Sequence, residues 1–216
     1  MKHTLLASLV LLGSLSACAE EDSTLLDASQ WRTYQGDGIS EGWKAEGDTL
    51  SVVASPAGDL ISKETYTNFE LTFEWKISEG GNSGVFFHVQ ESADLPYVFY
   101  SGPEFQVLDN KGRDEPPLEQ AGSLFALYAP EADYTKPVGE FNTSKLIVNG
   151  SHVEHWINGH RVVEYDMDSV EFKAKVADSK FGKWPAFAAK REGHLALQDH
   201  GNPVTFRNIR IMRLDD

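Results

Sequence analysis

Cysteine is nearly absent from this chain. The single one, Cys18, has no partner, so no intrachain disulfide staples the fold and stability must come from packing. Basic residues are also outnumbered, 19 Lys and Arg against 33 Asp and Glu, and the formal net charge of −14 repels phosphate backbones and anionic headgroups. That balance argues against nucleic acid as a partner. No apolar run reaches the ~20 residues that a bilayer-crossing helix needs. Several catalytic signatures are missing as well: a Gly-rich phosphate loop, His-Glu-x-x-His, and a His and Cys cluster at zinc spacing. The chain has no Glu-x-Asp-x-x-Glu, the strand-face motif of jelly-roll glucanases, which argues against a retaining two-carboxylate mechanism. No cofactor is expected. An Asp-rich loop is compatible with calcium, but no ligand run of the required spacing supports it.

The chain begins with Lys2, an apolar stretch from Leu5 to Leu15, and Leu15-Ser16-Ala17-Cys18, the order of parts in a secretory signal peptide. Leu-Ser-Ala-Cys resembles a bacterial lipobox, in which the cysteine is lipidated and becomes the new N-terminus. The alternative is an ordinary cleavage site beside a chance cysteine. The expected division is a signal peptide over residues 1–17, a lipidated Cys18 with an acidic tether through 28, and one folded domain over 29–216. A protein of this kind is an exported lipoprotein on the periplasmic or surface side of an outer membrane, touching the bilayer only through its anchor.

From Trp31 onward the dominant period is two. Phe69 to Ile77 places apolar residues at every odd position and polar ones at every even position, the pattern of a half-buried strand. Glu79-Gly80-Gly81-Asn82 supplies turn residues, and Ser83 to Gln90 reads as a second strand, so the two are expected to pair as a hairpin. Ser144 to Val148, His152 to Ile157 and Arg161 to Tyr165, separated by Asn149-Gly150 and Asn158-Gly159, read as a three-strand meander with two-residue turns. Leu50 to Ala54, Glu104 to Leu108, Leu124 to Tyr128, His194 to Gln198 and Val204 to Leu214 are further strands. Val170 to Lys183 reads as a loop over a sheet edge. The expected fold is all-β, a two-sheet β-sandwich or jelly roll.

Polar side chains on otherwise apolar strands are the candidates for chemistry. Period two puts Glu104 and Gln106 on one sheet face, with Phe105 and Val107 on the other. A carboxylate and an amide so placed can grip sugar hydroxyls or move a proton, or simply form an exposed outer face. Gln198 and His200 point together if their strand continues, and an ordinary imidazole titrates near neutrality; the alternative there is a turn. Trp75, Trp156, Trp184, Tyr97, Tyr100 and Tyr128 offer flat faces for sugar rings, although Trp75 continues a core-facing strand. His152 shares a face with Glu154 and Trp156 while His155 takes the other, which argues against a three-His metal site.

Asn82-Ser83-Gly84-Val85-Phe86, Gly102 to Asn110, Gly139-Glu140-Phe141-Asn142-Thr143, His155-Trp156-Ile157-Asn158-Gly159, Leu197 to Gly201 and Phe206-Arg207-Asn208-Ile209 together resemble the 3-keto-disaccharide hydrolase family, from about Trp31 to Leu214. Phe141 stands where that family often has Trp. The resemblance implies a concanavalin-like jelly roll, export, a carbohydrate substrate, and cleavage of glycosides oxidised to a ketone at C3. Such a ketone acidifies the C2 proton, so elimination at C1–C2 followed by hydration needs one base, one acid and a donor to the forming enolate. It implies Glu104 and His200 as acid and base, in an order left open. Lys76 and His88 are implied oxyanion donors, Gln106, Asp109, Gln198 and Asp199 substrate or support groups, and Asn82 and Arg207 groups that shape the site. All are expected to converge on one concave sheet face. The alternatives are a non-catalytic carbohydrate-binding module and a conventional glycosidase or polysaccharide lyase, because fold alone does not fix function.

Overall fold

The computed structural model describes residues 22–215. The expected signal peptide and Cys18 lie outside the described residues. The strands are β1 (Thr24–Leu25), β2 (Trp31–Thr33), β3 (Trp43–Glu46), β4 (Thr49–Val52), β5 (Leu60–Ser62), β6 (Phe69–Ile77), β7 (Asn82–Val89), β8 (Glu104–Leu108), β9 (Asn142–Asn149), β10 (His152–Ile157), β11 (His160–Asp166), β12 (His194–Leu197) and β13 (Val204–Arg213). Among the described residues one α-helix, α1 (Val170–Asp178), precedes β12. The large sheet runs β11-β10-β9-β6-β13-β4-β3, with β1 added beside β13, and the small sheet runs β2-β5-β12-β7-β8. All pairings are antiparallel. The expected two-sheet sandwich is thus the fold. Among the described residues no helix is long and apolar enough to cross a membrane.

Strand β6 alternates between buried and half-buried along its whole length, as its period of two requires. Phe69, Leu71, Phe73, Trp75 and Ile77 face Phe87, Phe105 and Val107 of the small sheet across one core. Trp75 is 1% exposed and its indole N–H donates to Ser144 Oγ at 2.8 Å, so it belongs to the core. Deleting a buried Phe here costs roughly 3–5 kcal/mol.

The expected hairpin of β6 with β7 is corrected. Strand β6 pairs with β9 and β13, whereas β7 pairs with β8 and β12, so the turn at 78–81 carries the chain from one sheet to the other. The reason is visible in the burial: β7 is covered on both faces beyond Asn82, and β6 on one. The meander β9-β10-β11 forms as expected. Its second turn uses Asn158 and Gly159 at φ of 49° and 84°, but the first turns on Gly150-Ser151, because Asn149 pairs with His152.

Three further expectations change. Residues 124–128 form turns with isolated bridges instead of a strand. Residues 170–178 form a helix because Ser169 accepts from the Phe172 amide at 3.0 Å and Phe172 packs into the core. The domain also starts before residue 29: β1 pairs with β13, and Leu26 is buried.

Candidate active site

The outer face of the small sheet is covered at one end and hollow at the other. Register aligns Ile61, Ala196, Phe86 and Glu104 across neighbouring strands. Ile61, Phe86 and Ala196 join Val89 and Val98 in a second small core, capped by Tyr34 and Phe99. Glu104 ends that row at the border of a hollow of about 150 Å³ lined by Asn82, Phe99, Glu104, Gln106, Phe125, Lys180, Phe181, Gln198 and His200.

Each lining residue has a local reason to be there. Period two on β8 turns Glu104 and Gln106 outward while Phe105 and Val107 enter the core. Gly84 lies across from Gln106, and a side-chain carbon at position 84 would overlap the Glu104 carboxyl. Glycine there makes room for the acid. Gln198 follows β12, its amide donating to the Gly84 carbonyl at 2.9 Å and its carbonyl accepting from Ser83 Oγ at 2.8 Å. Ser179 ends α1 and caps the next 3-10 turn by accepting from the Phe181 amide at 3.1 Å. That cap delivers Lys180 and Phe181 to the rim.

The electrostatics set one group apart. Glu104 is 8% exposed, and burial pushes its carboxyl up to about 8. The Asp59 and Glu119 charges push the same way, while the Lys180 ammonium opposes them. Glu104 therefore carries its proton at neutral pH. Asp59 precedes Leu60, which pairs with Leu197, so it stands beside Gln198; burial and the Asp199 charge raise it to about 6, against the Asp199 amide that donates to it at 3.0 Å. Around Glu104, the oxygens Asn82 Oδ1, Gln106 Oε1 and Gln198 Oε1 are buried with no hydrogen-bond partner among the described residues. Each such group costs on the order of 1–3 kcal/mol if left unpaired, so their convergence on one hollow marks a place for a ligand's hydroxyls.

Larger clefts lie elsewhere, and the largest of those described turns its charges inward. The groove of about 700 Å³ on the outer face of the large sheet pairs Glu70 with Lys145 at 3.7 Å, and its Glu74 with Arg207 at 2.7 Å.

Residues 22–212 match the profile of the 3-keto-alpha-glucoside-1,2-lyase-like domain. The chain belongs to that family. A 3-keto-disaccharide hydrolase from Bacteroides thetaiotaomicron is 36% identical over 86% of this chain and 74% of its own length. A crystal structure from Parabacteroides distasonis, provisionally named a glycosyl hydrolase, superposes with a TM-score of 0.83 at 30% identity, covering 94% of this chain and 99% of the other. A carbohydrate-binding module from Bacillus subtilis shares the fold at a TM-score of 0.51 and 14% identity, covering 85% of this chain and 95% of the module.

Of the residues that the family resemblance singled out, the hollow collects Glu104, His200, Asn82, Gln106 and Gln198. The expectation that the others converge with them is corrected. Lys76 and Arg207 lie on the outer face of the large sheet, across the core, where both stand over the Phe141 ring at 5.0 and 3.6 Å. His88 sits at a bulge of β7 with a left-handed φ of 53°, which turns its ring inward against Phe69 and Phe87. It is 2% exposed, its Nε2 meets the Thr67 carbonyl at 2.9 Å, and burial pushes its imidazole down to about 4. Asp109 and Asp199 are support groups in this family member. Asp109 accepts from the Gly80 and Lys111 amides and pins the turn ahead of Asn82. Asp199 accepts from the Ala57, Gly58 and Gly201 amides and fixes the loop that carries His200. His152 bonds Glu154 at 3.0 Å while His155 is buried in the core. Together with Glu164, His152 and Glu154 form a cluster of metal-ligand type, and Arg161 already pairs with both carboxylates.

Lys180 and Asp59 were missed by sequence reasoning. Lys180 follows a helix whose only deeply buried side chain is Phe172, and Asp59 meets Gln198 only through long-range register. Neither carries a motif.

Proposed function

We propose that this protein cleaves 3-keto-glycosides in the hollow beside Glu104, by elimination across C1–C2 followed by addition of water. The observation that carries this reading is the convergence of a proton-bearing carboxyl and three orphaned amide oxygens on a single hollow of sugar-ring size. His200, exposed on the rim, takes the C2 proton. The C2 electrons form the C1–C2 double bond, the C1–O bond breaks, and Glu104 gives its proton to the departing oxygen. Water then adds to C1 of the unsaturated ketone and restores a free 3-keto-sugar. Lys180 supplies positive charge beside the oxygen of the enolate, the part that Lys76 and His88 are too far round the fold to play. The amide oxygens of Asn82, Gln106 and Gln198 accept from ring hydroxyls. A general acid or base of this kind contributes typically 10²–10⁴-fold.

The Leu5 to Leu15 stretch and Leu15-Ser16-Ala17-Cys18 support the companion proposal of an exported protein anchored through a lipid on Cys18. Metabolic labelling with a radioactive fatty acid checks it: label on the wild type and none on Cys18→Ser is the expected result.

The test of function is to incubate the protein with a 3-keto-glucoside and with its unoxidised parent. Release of the leaving group from the ketone alone, with a transient conjugated-ketone absorbance, is expected. Cleavage of the parent, or binding of the ketone without turnover, defeats the reading.

A further inference from the structure

The hollow cannot hold a whole disaccharide. Its volume of about 150 Å³ lies well below the ~300 Å³ where pockets for drug-sized ligands begin. One hexose ring fills it, so the group joined at C1 has to rest outside, on the rim.

The rim carries a flat aromatic surface that begins inside. Phe99 lines the hollow and packs underneath on the Ile61, Phe86 and Ala196 cluster. Tyr97 stacks on Phe99 with centroids 5.1 Å apart and planes 6° from parallel, and Tyr97 is 53% exposed. Trp184 braces the stack from the side, 5.4 Å from Phe99 and 4.5 Å from Tyr100. A singly exposed aromatic needs no explanation. This one extends a braced stack from the hollow's wall into solvent, and its ordering cost is met before a ligand arrives.

We propose that the Tyr97–Phe99 stack is the leaving-group subsite, selecting 3-keto-glycosides whose departing group is a ring with an apolar face, a second pyranose or an aryl group. The assignment rests on the 3-keto-glycoside reading above. A ring lying flat on Tyr97 gains a stacking contact that a small alkyl leaving group lacks.

The experiment compares wild type, Tyr97→Ala and Tyr97→Phe on 3-keto-glucosides bearing methyl, glucosyl and phenyl leaving groups, reading kcat/KM. For Tyr97→Ala, kcat/KM for the glucosyl and phenyl substrates should fall by about three- to tenfold more than for the methyl one, with Tyr97→Phe recovering most of it. A differential loss confined to glucosyl or to phenyl supports the subsite and identifies which ring it takes. An equal change on all three substrates overturns the subsite and leaves the proposed reaction standing. Turnover of none of the three by wild type overturns both.

Discussion

Replacing Glu104 by Gln should make the protein more stable at alkaline pH while removing turnover. The unfolded carboxyl ionises near 4.5, and the folded one is held up to about 8 by burial. Below the first value both states are protonated. Between the two, the native protein keeps a proton that the unfolded chain releases, so this group's contribution to stability declines as pH rises and is fully lost once pH passes about 8. The displacement corresponds to a ceiling on the order of 5 kcal/mol. Relaxation of the loop bearing Lys180 and water entering the hollow reduce it, and about 2–4 kcal/mol is expected between pH 5 and 9. Gln fills nearly the same space and does not titrate, so the variant lacks that decline. Urea unfolding at a series of pH values measures both proteins, and buried groups with no charge coupling to Glu104, such as His88 and His155, cancel in the difference. A wild-type-minus-variant stability that stays constant within ~0.5 kcal/mol across the series would refute the claim that the fold holds Glu104 neutral. A residue whose removal stabilises the fold and ends catalysis is retained for its chemistry.

Two charges that act on that carboxyl should move the activity profile in opposite directions. Lys180→Met removes an opposing charge and shifts the alkaline limb of log kcat/KM against pH upward, whereas Asp59→Asn removes a like charge and shifts it downward; shifts of the same sign would contradict the assignment. Gly84→Ala should lower kcat by about tenfold or more, because its methyl displaces the Glu104 carboxyl, with the circular dichroism spectrum unchanged. His200→Ala should lower kcat by about a hundredfold or more, and normal turnover in that variant would move the base elsewhere.

Period two makes much of this molecule legible in its sequence. The alternation at Phe69 to Ile77 and the Asn158-Gly159 turn are local signals, and both elements form where they point. Glu104 and Gln106 were readable as a pair on one face for the same reason. Sheet membership was not, because a strand covered on both faces, such as β7, has no polar side to say where it belongs. His88 defeated the alternation through a single bulge that reverses its ring, at a place where Gly193 permits the close approach of the two backbones. Arg207 lies in a motif that resembles the family's, yet a motif does not say on which side of a sandwich its side chains emerge, and Lys76 lies in no such motif at all. Asp59 and Lys180 reach the hollow by register and by a helix end, neither of which leaves a spacing in the sequence.

Strand β1 has a bearing on how the molecule is presented. It joins β13 in the large sheet, and Ser23, just ahead of it, lines the groove on that sheet's outer side. The hollow opens on the opposite side. Attaching the protein to a support at Ser23 therefore leaves the mouth on the far side of the sandwich from the attachment.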